Sequence, residues 1–407
     1  MIKKISKNSF RSVRAILKER LAEKAPGLIQ LLVGPRQVGK TTLLLEVEAE
    51  WEGRSLYASA DTPEAVLPNW REGIWTRIER MAHGGAPVVL LLDEIQYLPD
   101  WSLWLKAKFD ECRRFSLPIR IVVSGSSSLQ IGSGARESMA GRFEKLTLSH
   151  WAAGDLAEIA GIPPQEAARR LVTHGGYPGA VVFWHDPARW QAYVRDSIIE
   201  PAVGRDILHL EKVRKPALLR QVFAVAAAHP SEILSLEKIA GVLAEKGALE
   251  TIANYLSLLN EAFLVSPLQK FSNSEIRRRR SSPKLVVRNN ALLVAGGNKN
   301  PNPETEPERW GRWVENACLA RAINDGMDVH FWREEPWEVD AVVSGGGGER
   351  YLLEVKTGRY SAEDLRGLAH AARKFPECRP LVLCDPGWEH IAVRAGFEAG
   401  SWVEYLI

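Results

Sequence analysis

Cysteine is scarce in this sequence: Cys112, Cys318, Cys378 and Cys384 are the four among 407 residues, and no two form a C-x-x-C pair. Such spacing excludes a disulfide framework and a zinc ribbon, and it suits reduced thiols in a cytoplasm. The nine histidines are scattered, with no pair at zinc-ligand spacing. No apolar run approaches the roughly 20 residues that span a bilayer, so no membrane association is expected. The opening stretch "MIKKISKNSFRSVRAILKERL" carries charge but no apolar centre, unlike a secretory signal. Net charge is only +3, too little to point to a polyanionic partner by itself. Ordinary apolar (45%) and charged (25%) fractions exclude disordered and fibrous classes.

What the chain has is length and pattern. Its 407 residues suffice for two to four domains, each with its own core. Positive charge is concentrated in the first twenty residues and in "IRRRR" at 276–280. A run of that kind is either a solvated loop or a phosphate-contacting patch.

"LIQLLVGPRQVGKTTLLLEVE" is an apolar run, a loop and then a helical pattern. Gly34, Gly39, Lys40 and Thr41 satisfy G-x-x-x-x-G-K-[ST], with Pro35, Arg36, Gln37 and Val38 filling the loop and Thr42 following it. The glycines let successive N–H groups turn towards phosphate, and the following helix adds its N-terminal dipole. Lys40 would neutralise the phosphates of ATP, and the Thr41 hydroxyl is placed to ligate Mg²⁺. Downstream, "APVVLLLDEIQYLPDW" reads as a strand buried on both faces that ends in Asp93 and Glu94. With a P-loop upstream, Asp93 would hold Mg²⁺ through water and Glu94 would act as general base towards the attacking water. A third strand in "PIRIVVSGSSSLQ" brings Ser124 or Ser126 to the same edge as a sensor of the γ-phosphate. Arg142, in a turn before a further strand, is either an arginine finger for its own or a neighbour's nucleotide or a structural surface arginine.

"GPRQVGKTTLL", "LLLDEIQYLPDW" and "SGSSS…MAGRFEKLTLSHW" together resemble the AAA-type ATPases of bacteria and archaea that carry a C-terminal domain of unassigned function. The resemblance continues through "GGYPGAV", "YVRDSIIEPAVGRDIL" and "WGRWVENACLARAI", and so covers most of the chain in order. It implies an α/β fold with a P-loop core, a winged helix and a restriction-nuclease-like domain. The family usually has an Asp-x-Gly turn after its Pro-Lys strand; "SSPKLVVRNNALLV" has Asn289-Asn290-Ala291 instead.

The pattern between 151 and 210 is helical, as for a lid behind the nucleotide. A helix near 215–228 precedes "SLEKIAGVLAEKGALETIANYLSLLNEAFLV", two helices broken at Gly247. The strands "AFLVSPLQKF" and "PKLVVR" then flank the arginine run, completing the order of a winged helix. In that arrangement Arg277, Arg278, Arg279 and Arg280 would grip DNA phosphates, although the second helix is itself poor in Lys and Arg.

From residue 305 the order is helix, three-strand meander, helix, strand, the core order of the PD-(D/E)XK nucleases. "WEVDAVVSGGGGERYLLEVKTG" puts Asp340 on one strand and Glu354 and Lys356 on one face of the next, two residues apart. Asp340, Glu354 and the Val355 carbonyl would hold Mg²⁺, Lys356 would position the attacking water, and Glu315 could join from the helix. The rival reading is a set of structural ion pairs in a domain that does not cut.

These observations lead us to expect an α/β protein of four segments. They are a P-loop core at 1–150, a helical lid at 151–210, a winged helix at 211–295 and a nuclease-like domain at 305–407. The leading functional expectation is a cytoplasmic, oligomeric, ATP-hydrolysing motor that remodels branched or forked DNA. The order of its domains resembles the bacterial Holliday-junction branch-migration motor and the origin-recognition ATPases. The alternatives are an ATP-dependent switch acting on a partner protein and an ATP-regulated, Mg²⁺-dependent nuclease.

Overall fold

The computed structural model describes residues 8–24, 27–125, 139–207, 213, 215–244, 248–272 and 281–407. The chain divides into two compact units, residues 8–149 and residues 150–407. No helix among the described residues is long and apolar enough to cross a membrane.

The first unit opens with helix α1 (Phe10–Ala22) and continues through β1 (Ile29–Val33), α2 (Lys40–Glu50), β2 (Ser55–Ser59) and α3 (Trp70–Ala82). Then come β3 (Val88–Asp93), α4 (Trp101–Phe115), β4 (Ile119–Gly125) and β5 (Phe143–Thr147). The strands form one parallel sheet in the order β2-β3-β4-β1-β5. β1, β3 and β4 are buried along their whole length, which is why their sequences are continuous Val/Ile/Leu runs rather than alternating ones. α4 buries Trp101, Leu105, Phe109 and Cys112, a stripe at helical spacing against the sheet. Because β1 lies between β4 and β5 while the chain next crosses to the far strand β2, a crevice opens at the carboxyl end of β1.

The second unit begins with α5 (Ala153–Ala160), α6 (Pro164–His174) and α7 (Pro187–Tyr193), the last running on into π-helical turns over 194–199 and 202–206. Next are α8 (Pro216–Ala228), β6 (Glu232–Ile233), α9 (Leu236–Val242), α10 (Leu249–Glu261), β7 (Val265–Leu268) and β8 (Lys284–Val287). Here β8 is the central strand of a three-stranded antiparallel sheet, between β6 and β7. The two-residue strand β6 was not expected; it is too short to show an alternation.

The remainder is α11 (Pro307–Asn324), β9 (Asp328–Glu334), β10 (Trp337–Ser344), β11 (Arg350–Lys356), α12 (Arg366–Lys374), β12 (Cys378–Cys384), α13 (Glu389–Arg394), β13 (Glu398–Ser401) and α14 (Trp402–Leu406). Its sheet runs β13-β12-β11-β10-β9, antiparallel from β9 to β11 and parallel from β11 to β13. Residues just past β7 pair with the outer edge of β9: Phe271 N donates to Phe331 O at 2.6 Å and Phe331 N to Gln269 O at 3.2 Å. That pairing satisfies an otherwise open strand edge.

The segments expected at 151–210, 211–295 and 305–407 thus share one unit, and buried carboxamides join them. Asn316 on α11 grips Val287 through both its backbone groups, at 2.9 and 2.8 Å, and reaches Asn290 Oδ1 at 2.8 Å. Asn290 in turn donates to Val172 O and Trp313 O, at 2.8 and 2.9 Å. Asn289 Oδ1 accepts from Gly176 N at 3.0 Å. Its backbone is extended, with φ −152°, so the departure from the family's turn is a buried hydrogen-bonding station rather than a left-handed bend. Gly175 is obligatory here: a Cβ would lie 2.0 Å from Asn289 Oδ1, and its φ is +71°. All four cysteines are buried and free.

Candidate functional site

Two clusters of charged residues stand where the sequence pointed, one in each unit. In the first unit the loop after β1 turns sharply, with positive φ at Gln37 (61°) and Gly39 (96°), a curl that makes an anion-binding concavity. Gly34 admits the chain after β5; a Cβ there would fall 1.9 Å from Leu148 O. Val38 is fully buried and anchors the loop. Lys40, the first residue of α2, is buried and its Nζ bonds Pro35 O at 2.7 Å and Gly34 O at 3.0 Å, so the ammonium bridges the concavity. Thr41 and Thr42 are exposed on the first turn. Arg36 Nη2 reaches Tyr97 Oη at 3.3 Å.

Asp93 ends β3, buried, and collects hydroxyl groups from three elements. Thr41 Oγ1 of α2 donates to Oδ2 at 2.6 Å, Tyr57 Oη of β2 to Oδ2 at 3.1 Å, and Ser124 Oγ of β4 to Oδ1. Burial and the Asp93 charge push the Tyr57 phenol above its ordinary range, so it remains a donor. Glu94 follows at φ 50°, a left-handed corner that turns its side chain off the strand. Its N–H donates to Asp93 Oδ1 at 3.0 Å and Ser124 Oγ at 3.3 Å, and its Oε2 accepts from Gln96 Nε2. Burial pushes the Glu94 carboxyl up, against the opposing pull of Lys40. A carboxylate nearer neutral pKa is a better proton acceptor at physiological pH.

The hard oxygen donors Thr41 Oγ1 and Asp93 suit Mg²⁺, and the cradle suits a triphosphate. Two residues of this site had not been anticipated, Tyr57 and Gln96. Ser126 and Arg277 to Arg280 lie outside the described residues. Arg142 stands at the opposite end of β1 from the P-loop. Its carbonyl accepts from Ile29 N, at the start of β1, whereas the P-loop leaves the other end of that strand. A five-residue strand separates the two, roughly 13 Å. Its guanidinium forks onto Asp110 at 2.8 and 3.1 Å.

In the second unit Asp340 and Glu354 face each other across β10 and β11, by the register Ala341 with Leu353. Asp340 Oδ2 accepts from Val355 N at 2.8 Å, and Lys356 Nζ lies 2.7 Å from Glu354 Oε1 on the shared face that alternation predicts. The residue sequence reasoning missed is Lys284 of β8. Its side chain is 1% exposed, and Nζ lies 2.6 Å from Glu315 Oε1, 3.5 Å from Asp340 Oδ1 and 3.6 Å from Glu338 Oε1. It also donates to Asp340 O at 3.2 Å. Burial works against its charge, but Glu315, Asp340 and Glu338 outweigh it and raise its pKa. Burial, reinforced by Asp340, pushes the Glu315 carboxyl up to about 7 and the Glu354 carboxyl up to about 8. One signal was present in the sequence: a lysine within an apolar strand must find acids.

The acids expected to hold Mg²⁺, Asp340, Glu354 and Glu315, each lie beside a lysine. Among the described residues no three Asp, Glu, His or Cys side chains converge as metal ligands. The reason is local: Glu315 and Asp340 turn to Lys284 and Glu354 turns to Lys356, leaving Glu354 Oε2 buried with no hydrogen-bond partner.

Three family models match successive stretches of the chain. Residues 27–156 match the family model described as "AAA domain". Residues 165–302 and 310–405 match two families described only as domains of unknown function, DUF8612 and DUF4143. Uncharacterized proteins of Mycobacterium tuberculosis and Mycobacterium bovis are each 28% identical over 382 residues, 91% of this chain and 78% of theirs. Among solved structures, the Holliday junction branch migration motor RuvB of Thermotoga maritima is 17% identical, covering 64% of this chain and 92% of its own, at a TM-score of 0.35. AMPPCP-bound DnaA from Aquifex aeolicus is 14% identical over 63% of this chain and 92% of its own, at 0.34. Overlaps this loose bear on neither substrate nor partner. The P-loop geometry and the AAA domain match together assign ATPase activity to residues 27–156.

Proposed function

We propose that this ATPase is an oligomeric, DNA-binding motor that remodels branched or forked DNA. The observation that carries the reading is the pairing, in one chain, of a hydrolysis-competent P-loop with the module α8-β6-α9-α10-β7-β8. That order of helices and strands is the order of a winged helix, and Arg277 to Arg280 fall in its β7–β8 connection. Within the front unit, Lys40 neutralises phosphate charge, Glu94 takes the proton of the attacking water and Gln96 orients Glu94. Thr41 and Asp93 would hold Mg²⁺, which when bound supplies further charge neutralisation at the phosphates. Arg142, turned away from its own nucleotide, is assigned to the site of a neighbouring copy.

The test is ATP turnover and binding on a four-way junction against a matched duplex, with and without ATP. Stimulation of turnover by the junction, with ATP-dependent binding, is expected. Equal, ATP-independent binding to both would refute remodelling.

One observation favours a second reading, a nucleotide switch acting on a partner protein. The exposed face of α10 carries Glu250, Ala253, Asn254, Ser257 and Asn260, with no basic side chain to meet phosphate. Unstimulated turnover on every DNA would leave that reading in place. Nuclease action is the least supported of the three, because the acids it needs are engaged by lysines.

A further inference from the structure

We propose that Lys284 is a resident cation standing where a nuclease-like fold would bind a divalent metal. In this reading the acid cluster of the second unit is a strut between two sheets and not a metal centre. Three observations carry this inference. The first is position: Nζ lies within 3.6 Å of carboxylates on three residues, Glu315 of α11 and Glu338 and Asp340 of β10, and donates to a carbonyl of β10 as well. An ammonium has three donors, and the Asp340 carbonyl takes one of them while the carboxylates surround its charge. The second is rigidity. Lys284 pairs through its backbone with Ile233 on one side and Leu268 on the other, as the first residue of a central strand, and Asn316 clamps Val287 at the other end of that strand. The strand that carries the lysine is thus fixed from both sides, and its side chain is 1% exposed. The third is exclusion. Mg²⁺ or Mn²⁺ drawing on the Asp340 and Glu315 carboxylates at about 2.1 Å would stand almost in contact with that ammonium.

Removing the lysine alone leaves three carboxylates and a carbonyl around one vacated point, a hard-oxygen set suited to a divalent cation. The cluster is then a metal site held shut by one residue. This inference does not depend on DNA being the partner, since its readout is metal uptake.

The experiment is Mn²⁺ titration of the full chain, followed by electron paramagnetic resonance without nucleotide, in an Asp93→Asn background that silences the ATP site. That background is expected to bind no Mn²⁺ up to millimolar concentration. Adding Lys284→Met should create one site, and adding Asp340→Asn to that pair should abolish it. Saturable Mn²⁺ binding by the Asp93→Asn chain that Asp340→Asn removes would overturn the proposal. So would a cooperatively folded Lys284→Met chain that binds none. If Lys284→Met does not fold, the otherwise native chain decides. Without nucleotide its Tm should be the same in Mg²⁺ and in EDTA, and Glu315→Gln should lower it equally in both. A Mg²⁺-dependent rise in Tm that Asp340→Asn abolishes would sink the idea.

Discussion

Asp93 accepts from three hydroxyl groups drawn from three elements, so its charge and orientation depend on groups far apart in the chain. Hydrogen bonds to a charged group contribute about 1.5–3 kcal/mol each. Tyr57→Phe should therefore lower ATP turnover by about tenfold or more, and unchanged turnover would show the phenol to be a bystander. Glu94→Gln should keep ATP bound and cut turnover by about 10²–10⁴-fold, the usual worth of a general base, as measured by phosphate release beside nucleotide binding. A parent rate in that variant would remove Glu94 from the mechanism. Lys40, Thr41, Asp93 and Glu94 were legible in the sequence because loop curvature and strand termination fix their spacing. Tyr57, Gln96 and Lys284 were not. Tyr57 and Lys284 act on partners brought to them by tertiary structure, at separations no local pattern encodes, while Gln96 bonds Glu94 two residues away across a left-handed corner that the sequence did not announce. Lys284 shows the cost of reading a motif without its surroundings: the acids and lysine of the nuclease pattern are all present, and a further lysine from β8 stands beside Asp340 and Glu315.

At the scale of elements, the buried parallel strands declared themselves as apolar runs, while short or polar elements did not. Asn289 and Asn290 read as turn chemistry, because asparagine favours turns and nothing local shows that this one is buried against Asn316 of a helix. The end of α6 offers a test of packing through pH. His174 sits against Trp190 with ring centroids 4.8 Å apart, and burial, with Arg170 nearby, pushes its pKa down to about 4. The unfolded chain takes up that proton near the ordinary value of 6.5, and the folded one resists until about 4. Between those values the unfolded state binds more protons, so the stabilising contribution is full above 6.5 and lost as pH falls through the window. Tm should drop on acidification across this range, and less steeply in His174→Gln. Parallel pH profiles for the two proteins would assign the acid sensitivity elsewhere.

For the molecule as a whole, assembly and DNA grip are the open tests. Arg142→Ala should depress turnover with ATP affinity nearly unchanged, and mixing it with Lys40→Ala should restore part of the activity if copies share sites. No restoration would leave Arg142 as the partner of Asp110 alone. Replacing Arg277 to Arg280 with alanine should flatten the salt dependence of duplex binding by about 0.9 per lost phosphate contact, and an unchanged slope would move the contact elsewhere. The burial of every cysteine has a use of its own. Burial lifts the thiols of Cys112 and Cys384 to about 12 and about 11, and those of Cys318 and Cys378 also rise, so the native chain presents almost no thiolate. Alkylation by iodoacetamide then becomes a clock for opening, with Cys112 timing residues 8–149 and the other three timing residues 150–407. Nucleotide should slow the clock at Cys112 and leave the one at Cys384 running at its former rate, unless the two units open together.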